Sequence, residues 1–133
     1  MLTLIKTESN GNPWALGING AHLKFQPNSE SQARLWVRYL DAHQYNFDVG
    51  LGQINIRQIK QRGYTPEQLL DPCLNLRLAS QILTENYQQA LKHTSNPQLT
   101  LQQALSRYNN GNNHAVYSNG YLARIYANFP SVK

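Results

Sequence analysis

A chain of 133 residues has room for one compact domain, and a single domain over residues 1–133 is expected. Charged residues make up only 14%, against roughly 25% in ordinary globular chains, and amides replace them, with 15 Asn and 13 Gln. The 12 basic and 7 acidic residues give a net charge of +5; the cations are scattered rather than blocked, which excludes the usual nucleic-acid footprint, and no run approaches the ~20 apolar residues of a membrane span.

Leu2, Leu4 and Ile5 open a short apolar helix that should end near Ser9, because Asn10-Gly11-Asn12-Pro13 is a stop signal. Residues 15–26 carry Leu16, Ile18, Leu23 and Phe25 around Asn19-Gly20, which predicts a β-hairpin. Ser29 with Gln32 three residues on resembles a capping box. Ala33, Trp36, Val37 and Leu40 then predict a helix over about 30–43. Glycines at 50 and 52 interrupt the extended stretch 47–54, and Asn55 should cap a helix closing at Gly63.

Asp71-Pro72 is a helix start, with the acid as cap and proline at the first position. Leu76, Ala79, Leu83, Tyr87 and Ala90 repeat at helical spacing and carry that helix to about His93. Ser95-Asn96-Pro97 breaks it. A further helix holds Leu101, Ala104, Leu105 and Tyr108 and ends at Asn109-Asn110-Gly111, and a last one covers 121–128. The expected fold is mainly α, of the α+β class.

The four histidines show no metal-ligand spacing, and neither a metal nor another cofactor is expected. The single cysteine, Cys73, excludes an intramolecular disulfide and reads as a small buried apolar group. The carboxylates are more informative. Glu8 closes an apolar helix, where the macrodipole disfavours an acid; if buried there, its pKa would rise as a general acid requires. Asp48 precedes Gly50-Leu51-Gly52-Gln53-Ile54-Asn55, which sets glycines and two amides side by side.

Thr7-Glu8-Ser9-Asn10-Gly11-Asn12-Pro13 resembles the Glu-Ser motif of goose-type lysozymes and lytic transglycosylases. Gly50-Leu51-Gly52-Gln53-Ile54-Asn55 is similar to their Gly-Leu-Met-Gln motif, with Gly52 in place of methionine. Tyr108-Asn109-Asn110-Gly111 resembles Ala-Tyr-Asn-Ala-Gly, and Tyr121-Leu122-Ala123-Arg124-Ile125 the Tyr-Val-x-x-Val that follows. The four motifs keep the family order across residues 7–125. The long insert before Asp48 is most similar to the transglycosylases of conjugation and type IV secretion systems.

The resemblance implies a lysozyme-like fold with a small β-hairpin insertion beside an active-site cleft that grips peptidoglycan strands. It makes Glu8 the acid, then the base, of glycosidic cleavage between N-acetylmuramic acid and N-acetylglucosamine, leaving an anhydro-muramic end. Ser9, Gly50, Leu51, Gln53, Asn55, Tyr108, Asn109 and Tyr121 are the implied substrate-binding residues. Asp48-Val49-Gly50-Leu51-Gly52-Gln53-Ile54-Asn55 also resembles a c-type lysozyme motif whose aspartate is the second catalytic carboxylate. That leaves Asp48 open as an electrostatic stabiliser, as the partner of Glu8 in a hydrolytic muramidase, or as a loop-shaping residue. An inactive glycan-binding module of a secretion machine is the reading from another class. Gly17 stands near a position where relatives often carry serine, so one hydrogen bond to substrate is expected to be missing. The implied setting is the periplasm or cell envelope, with peptidoglycan and type IV secretion components as partners and a monomeric state. Because only seven residues precede Glu8, an export signal lost upstream is expected.

Overall fold

The computed structural model describes residues 1–110 together with 124 and 125. The chain divides into two compact units, residues 2–77 and residues 78 onward, the latter with Met1.

In the first unit, α1 spans Leu2–Ser9 and buries Leu4 and Ile5. It stops where expected: Asn10 and Gly11 both take positive φ, 53° and 78°, and the Asn10 amide donates to the Lys6 carbonyl. The Asn12 side chain then accepts from the Trp14 amide at 2.9 Å, a local turn in which a side chain stands in for backbone.

The expected hairpin forms only in part. The strand β1 is Leu16–Ile18, with a single further bridge from Ile18 to Ala21. Its ladder partner is β2, Phe47–Val49, which lies beyond the following helix and pairs antiparallel as Leu16–Val49, Gly17–Asp48 and Ile18–Phe47. A short β3, Ile54–Asn55, pairs with the other edge of β2. Leu23 and Phe25 join no strand. Instead Gln26 occupies the free edge of β1: its Oε1 accepts from the Leu16 amide at 2.8 Å, and its Nε2 donates to the Leu16 carbonyl at 3.0 Å. A primary amide carries the donor–acceptor pair of one peptide group, so one side chain replaces a rung of strand and local alternation overstates the hairpin.

Helix α2, Glu30–Ala42, starts at Ser29, whose Oγ accepts from the Gln32 amide at 3.2 Å. Gln32 reaches back, but to the Asn28 amide rather than to that of Ser29. Ala33, Val37 and Leu40 form its buried stripe. Helix α3, Ile56–Gln61, begins at Asn55 as expected and ends in a Schellman motif, with Gly63 at φ 83° and the amides of Gly63 and Tyr64 donating to Lys60 and Ile59. A single 3-10 turn, Gln68–Leu70, leads to Asp71. The core of this unit centres on Phe47, Val37, Val49, Ile59 and Leu69, all essentially inaccessible.

Helix α4 runs Pro72–Leu91 with Asp71 accepting from the Cys73 amide. Its inward stripe is Asn75, Leu78, Ala79, Ile82 and Ala90; Ala79 and Ala90 are buried as expected, Leu83 and Tyr87 are half-buried, and Leu76 is exposed. Cys73 is exposed, contrary to expectation. It lies two residues from Asn75, about 200° round the helix, and therefore faces away from that stripe. Helix α5 covers Pro97–Asn110. It starts before Leu101 because Asn96 is a cap and not only a breaker: its Oδ1 accepts from the amides of Gln98 and Leu99. In this second unit, Asn86 on α4 donates to the Ala104 carbonyl on α5. The expected last helix falls, but for Arg124 and Ile125, outside the described residues.

Candidate active site

The candidate site in the first unit draws on two segments, the end of α1 and the turn between β2 and β3. Glu8 occupies the last turn of α1, and its Oε1 is closed off from solvent. Ser9 is buried beside it, and its hydroxyl donates to the Ile5 carbonyl within the helix at 3.0 Å. Seven residues beyond Glu8, the Ala15 carbonyl accepts from the Gly50 amide at 2.8 Å and from Gln53 Nε2 at 2.9 Å. The Gly-Leu-Gly-Gln turn is therefore tied to the chain that leads from the Glu-Ser segment into β1.

The 50–53 turn is made possible by backbone chemistry. Gly50 sits at φ 77°, and a Cβ there would run into the Asn75 amide nitrogen and come within 2.9 Å of the Leu69 carbonyl oxygen. Gln53 also holds a positive φ, 48°, a conformation uncommon outside glycine. Its side chain compensates, since Nε2 donates both to Ala15 and, at 3.0 Å, to the Gly50 carbonyl. The donor end of Gln53 is thus spent on the turn, and its Oε1 looks across to Gly17, 2.7 Å from where a Cβ would stand. The same view from Gly17 takes in Asp48 Oδ2 at 3.8 Å. A bare Gly17 leaves these two oxygens uncovered by a side chain from β1. The side chain of Leu51 is 8% exposed, which leaves the backbone, the part expected to line the cleft, as what this residue can offer a substrate.

Asp48 is partly buried on β2. Desolvation raises its pKa above the ordinary carboxylate value, and a hydrogen bond from Asn55 works in the opposite direction. Asn55 donates to Asp48 Oδ1 at 2.9 Å and to Asn46 Oδ1 at 2.7 Å, while its own Oδ1 caps α3 at the Arg57 amide. Asn55 is therefore engaged on three sides by the fold itself.

Asn75, which the sequence pattern did not single out, holds the turn from beneath. It is wholly buried; Nδ2 donates to the carbonyls of Val49 and Leu69, and Oδ1 accepts from the Gly52 amide at 2.8 Å. One amide thus satisfies three backbone groups that would otherwise be buried and unpaired. The signal for it was an amide within an apolar stripe: 75, 78, 79 and 82 share one face at helical spacing.

Tyr108 and Asn109 lie in the final turn of α5, in the second unit, with Tyr108 half-buried and Asn109 exposed. Tyr121 lies outside the described residues. Among the described residues, no cluster of three His, Cys, Asp or Glu is placed to hold a metal ion, and no helix is long and apolar enough to cross a membrane.

Comparison with known proteins places this geometry in context. Residues 1–122 match the family model described as the transglycosylase SLT domain, and the chain belongs to that family. It is 36% identical over 113 residues to the type IV secretion system protein virB1 of Brucella abortus biovar 1 (strain 9-941), covering 84% of this chain and 48% of that protein. Similarity to protein virB1 of Rhizobium radiobacter is 32% over 126 residues, 94% of this chain and 52% of the relative. The corresponding protein of Agrobacterium fabrum is 30% identical over 125 residues, 94% and 51%. The chain spans about half the length of these relatives. No solved structure matches it.

Proposed function

We propose that this member of the transglycosylase SLT family is a peptidoglycan lytic transglycosylase that opens the cell wall locally for a type IV secretion apparatus. The observation that carries the reading is Glu8, an acid in the last turn of an apolar helix with one carboxyl oxygen closed off from solvent. Burial and the negative end of the helix dipole both favour the protonated form. In the first step Glu8 gives its proton to the oxygen bridging N-acetylmuramic acid and N-acetylglucosamine. The bond from the muramic C1 to that oxygen breaks, and positive charge develops at C1. In the second step the muramic C6 hydroxyl adds to C1 and its proton returns to Glu8, so that an anhydro ring closes and no water is consumed.

Asp48 and the Gln53 Oε1 supply negative potential beside Gly17, which suits the developing oxocarbenium charge. Tyr108, Asn109 and Tyr121 take the sugar-holding roles that the family motifs assign them. Amides and phenols suit a neutral, hydroxyl-rich polymer, and the net charge of +5 favours approach to an anionic wall. The periplasm or cell envelope is the setting this substrate requires.

The test is digestion of purified sacculi by the protein and by Glu8→Gln. The variant should keep the fold and lose at least about a hundredfold in fragment release, the scale of a general acid. Mass spectrometry of the products should find anhydro ends, one water lighter than reducing ends. Near-parental release by Glu8→Gln overturns the reading, and water-added ends alone replace it with a hydrolytic muramidase.

A further inference from the structure

On the first unit, apart from the residues of the candidate site, the chain from His22 to Asn28 and the outer face of α2 enclose a groove of about 950 Å³. Its walls carry Trp36, Tyr39 and Phe25, which are 40%, 48% and 77% exposed. The rings of Trp36 and Tyr39 are braced rather than loose. Tyr39 meets Trp36 edge-on with centroids 6.0 Å apart and stacks on His43 at 4.1 Å. The amides Gln26, Asn28 and Gln32 also line the groove, and Lys24 stands 5.7 Å over the Phe25 ring. No carboxylate lines the groove.

We propose that this groove is an auxiliary holding surface for the peptidoglycan strand, resting on the function proposed above. Aromatic faces are negative and the axial C–H edges of a pyranose are positive, so a sugar ring stacks on Trp36 as an aromatic edge would. The Asn28 side-chain amide and the Gln32 Nε2 bond its hydroxyl and acetamido groups, while Gln26 is held to Leu16, and Lys24 meets the free carboxylates of the stem peptides. A groove lined by a cation and no acid selects such an anionic, glycan-bearing polymer over a basic protein segment. Braced rings lose little freedom on binding. Continuity with the candidate site supports the same occupant. Gln26 forms part of the groove wall and also completes the edge of β1 at Leu16, next to Gly17, which faces Asp48 and Gln53.

The test is co-sedimentation with purified sacculi in a Glu8→Gln background, which prevents digestion. Adding Trp36→Gln or Lys24→Glu should each weaken binding, Trp36→Gln by about tenfold, the equivalent of roughly 1.4 kcal/mol. Thermal melting of each variant checks that the fold is kept, and Lys24→Glu, on an exposed loop, covers the case in which Trp36→Gln does not fold. With Glu8 intact, Trp36→Gln should lose sacculus digestion while its turnover of a short soluble muramyl tetrasaccharide stays unchanged. Binding by both variants within about twofold of the parent overturns the groove. Trp36-dependent binding by a protein that releases no fragments keeps the groove and overturns the reaction. Digestion that needs Glu8 and ignores Trp36 and Lys24 does the reverse.

Discussion

Replacing Gly50 by alanine tests whether the turn between β2 and β3 is held from beneath by Asn75. Two costs apply. The first is conformational: a non-glycine residue in the left-handed region costs about 1–2 kcal/mol. The second is contact. The new methyl would enter the space of the Asn75 amide and approach the Leu69 carbonyl oxygen to 2.9 Å. Asn75 is fully buried and makes bonds to Val49, Leu69 and Gly52, so it cannot retreat without breaking some of them. Each buried group left unpaired costs about 1–3 kcal/mol, and losing two gives roughly 3–8 kcal/mol in all with the first term. Gly63→Ala is the matched control, since Gly63 shares the positive φ, 83°, and has nothing within 4 Å of its Cβ position. It should cost only the conformational ~1–2 kcal/mol. Urea titrations followed by tryptophan fluorescence give both values. Equal midpoints for the two variants would falsify the proposed role of Asn75.

Asn75→Ala removes the same staple from the other side and should destabilise by about 3–5 kcal/mol, measured by the same titration; a loss below about 1 kcal/mol would mean that the turn holds itself. Gly17→Ala places a methyl 2.7 Å from Gln53 Oε1, whose amide is tied to two carbonyls. It should cost about 1–2 kcal/mol by overpacking and slow sacculus digestion, and a variant unchanged in both would show that nothing there is tight. Burial raises the Asp48 pKa in the folded protein, so the native state keeps that proton to higher pH than the unfolded chain. Stability contributed by Asp48 is therefore full below the ordinary carboxylate value of about 4 and lost as pH rises through the raised one. Relative to the parent, Asp48→Asn should gain melting temperature between acid and neutral pH, and a pH-independent difference would contradict the assigned cause.

Much of the local structure was legible because its causes are local. The stop after Ser9, the Ser29 and Asn55 caps, the Gly63 closure and the Asp71-Pro72 start each depend on side-chain and backbone chemistry within a few residues. The family motifs were also legible, since they are short strings in a set order. Placement of Leu23 and Phe25 was not, because alternation cannot say that β1 takes its partner from residue 47 onward and lets the Gln26 amide fill its other edge.

Burial decided the rest. At the start of α4 Asn75 rather than Leu76 enters the core, where its polarity would look like an error unless three distant backbone groups are there to meet it. For the same reason Cys73 faces solvent, and Gln53 and Asn55, expected to present amides to substrate, spend much of their hydrogen bonding on the turn and the helix they sit beside. Sequence by itself determined the chemistry available: a carboxylate at a helix end, glycines at a turn, and neutral amides throughout. Tertiary structure alone decided which of those groups are consumed in holding the turn and which remain turned outward, because hydrogen bonds between residues far apart in the chain satisfy buried polar atoms only after folding brings them together.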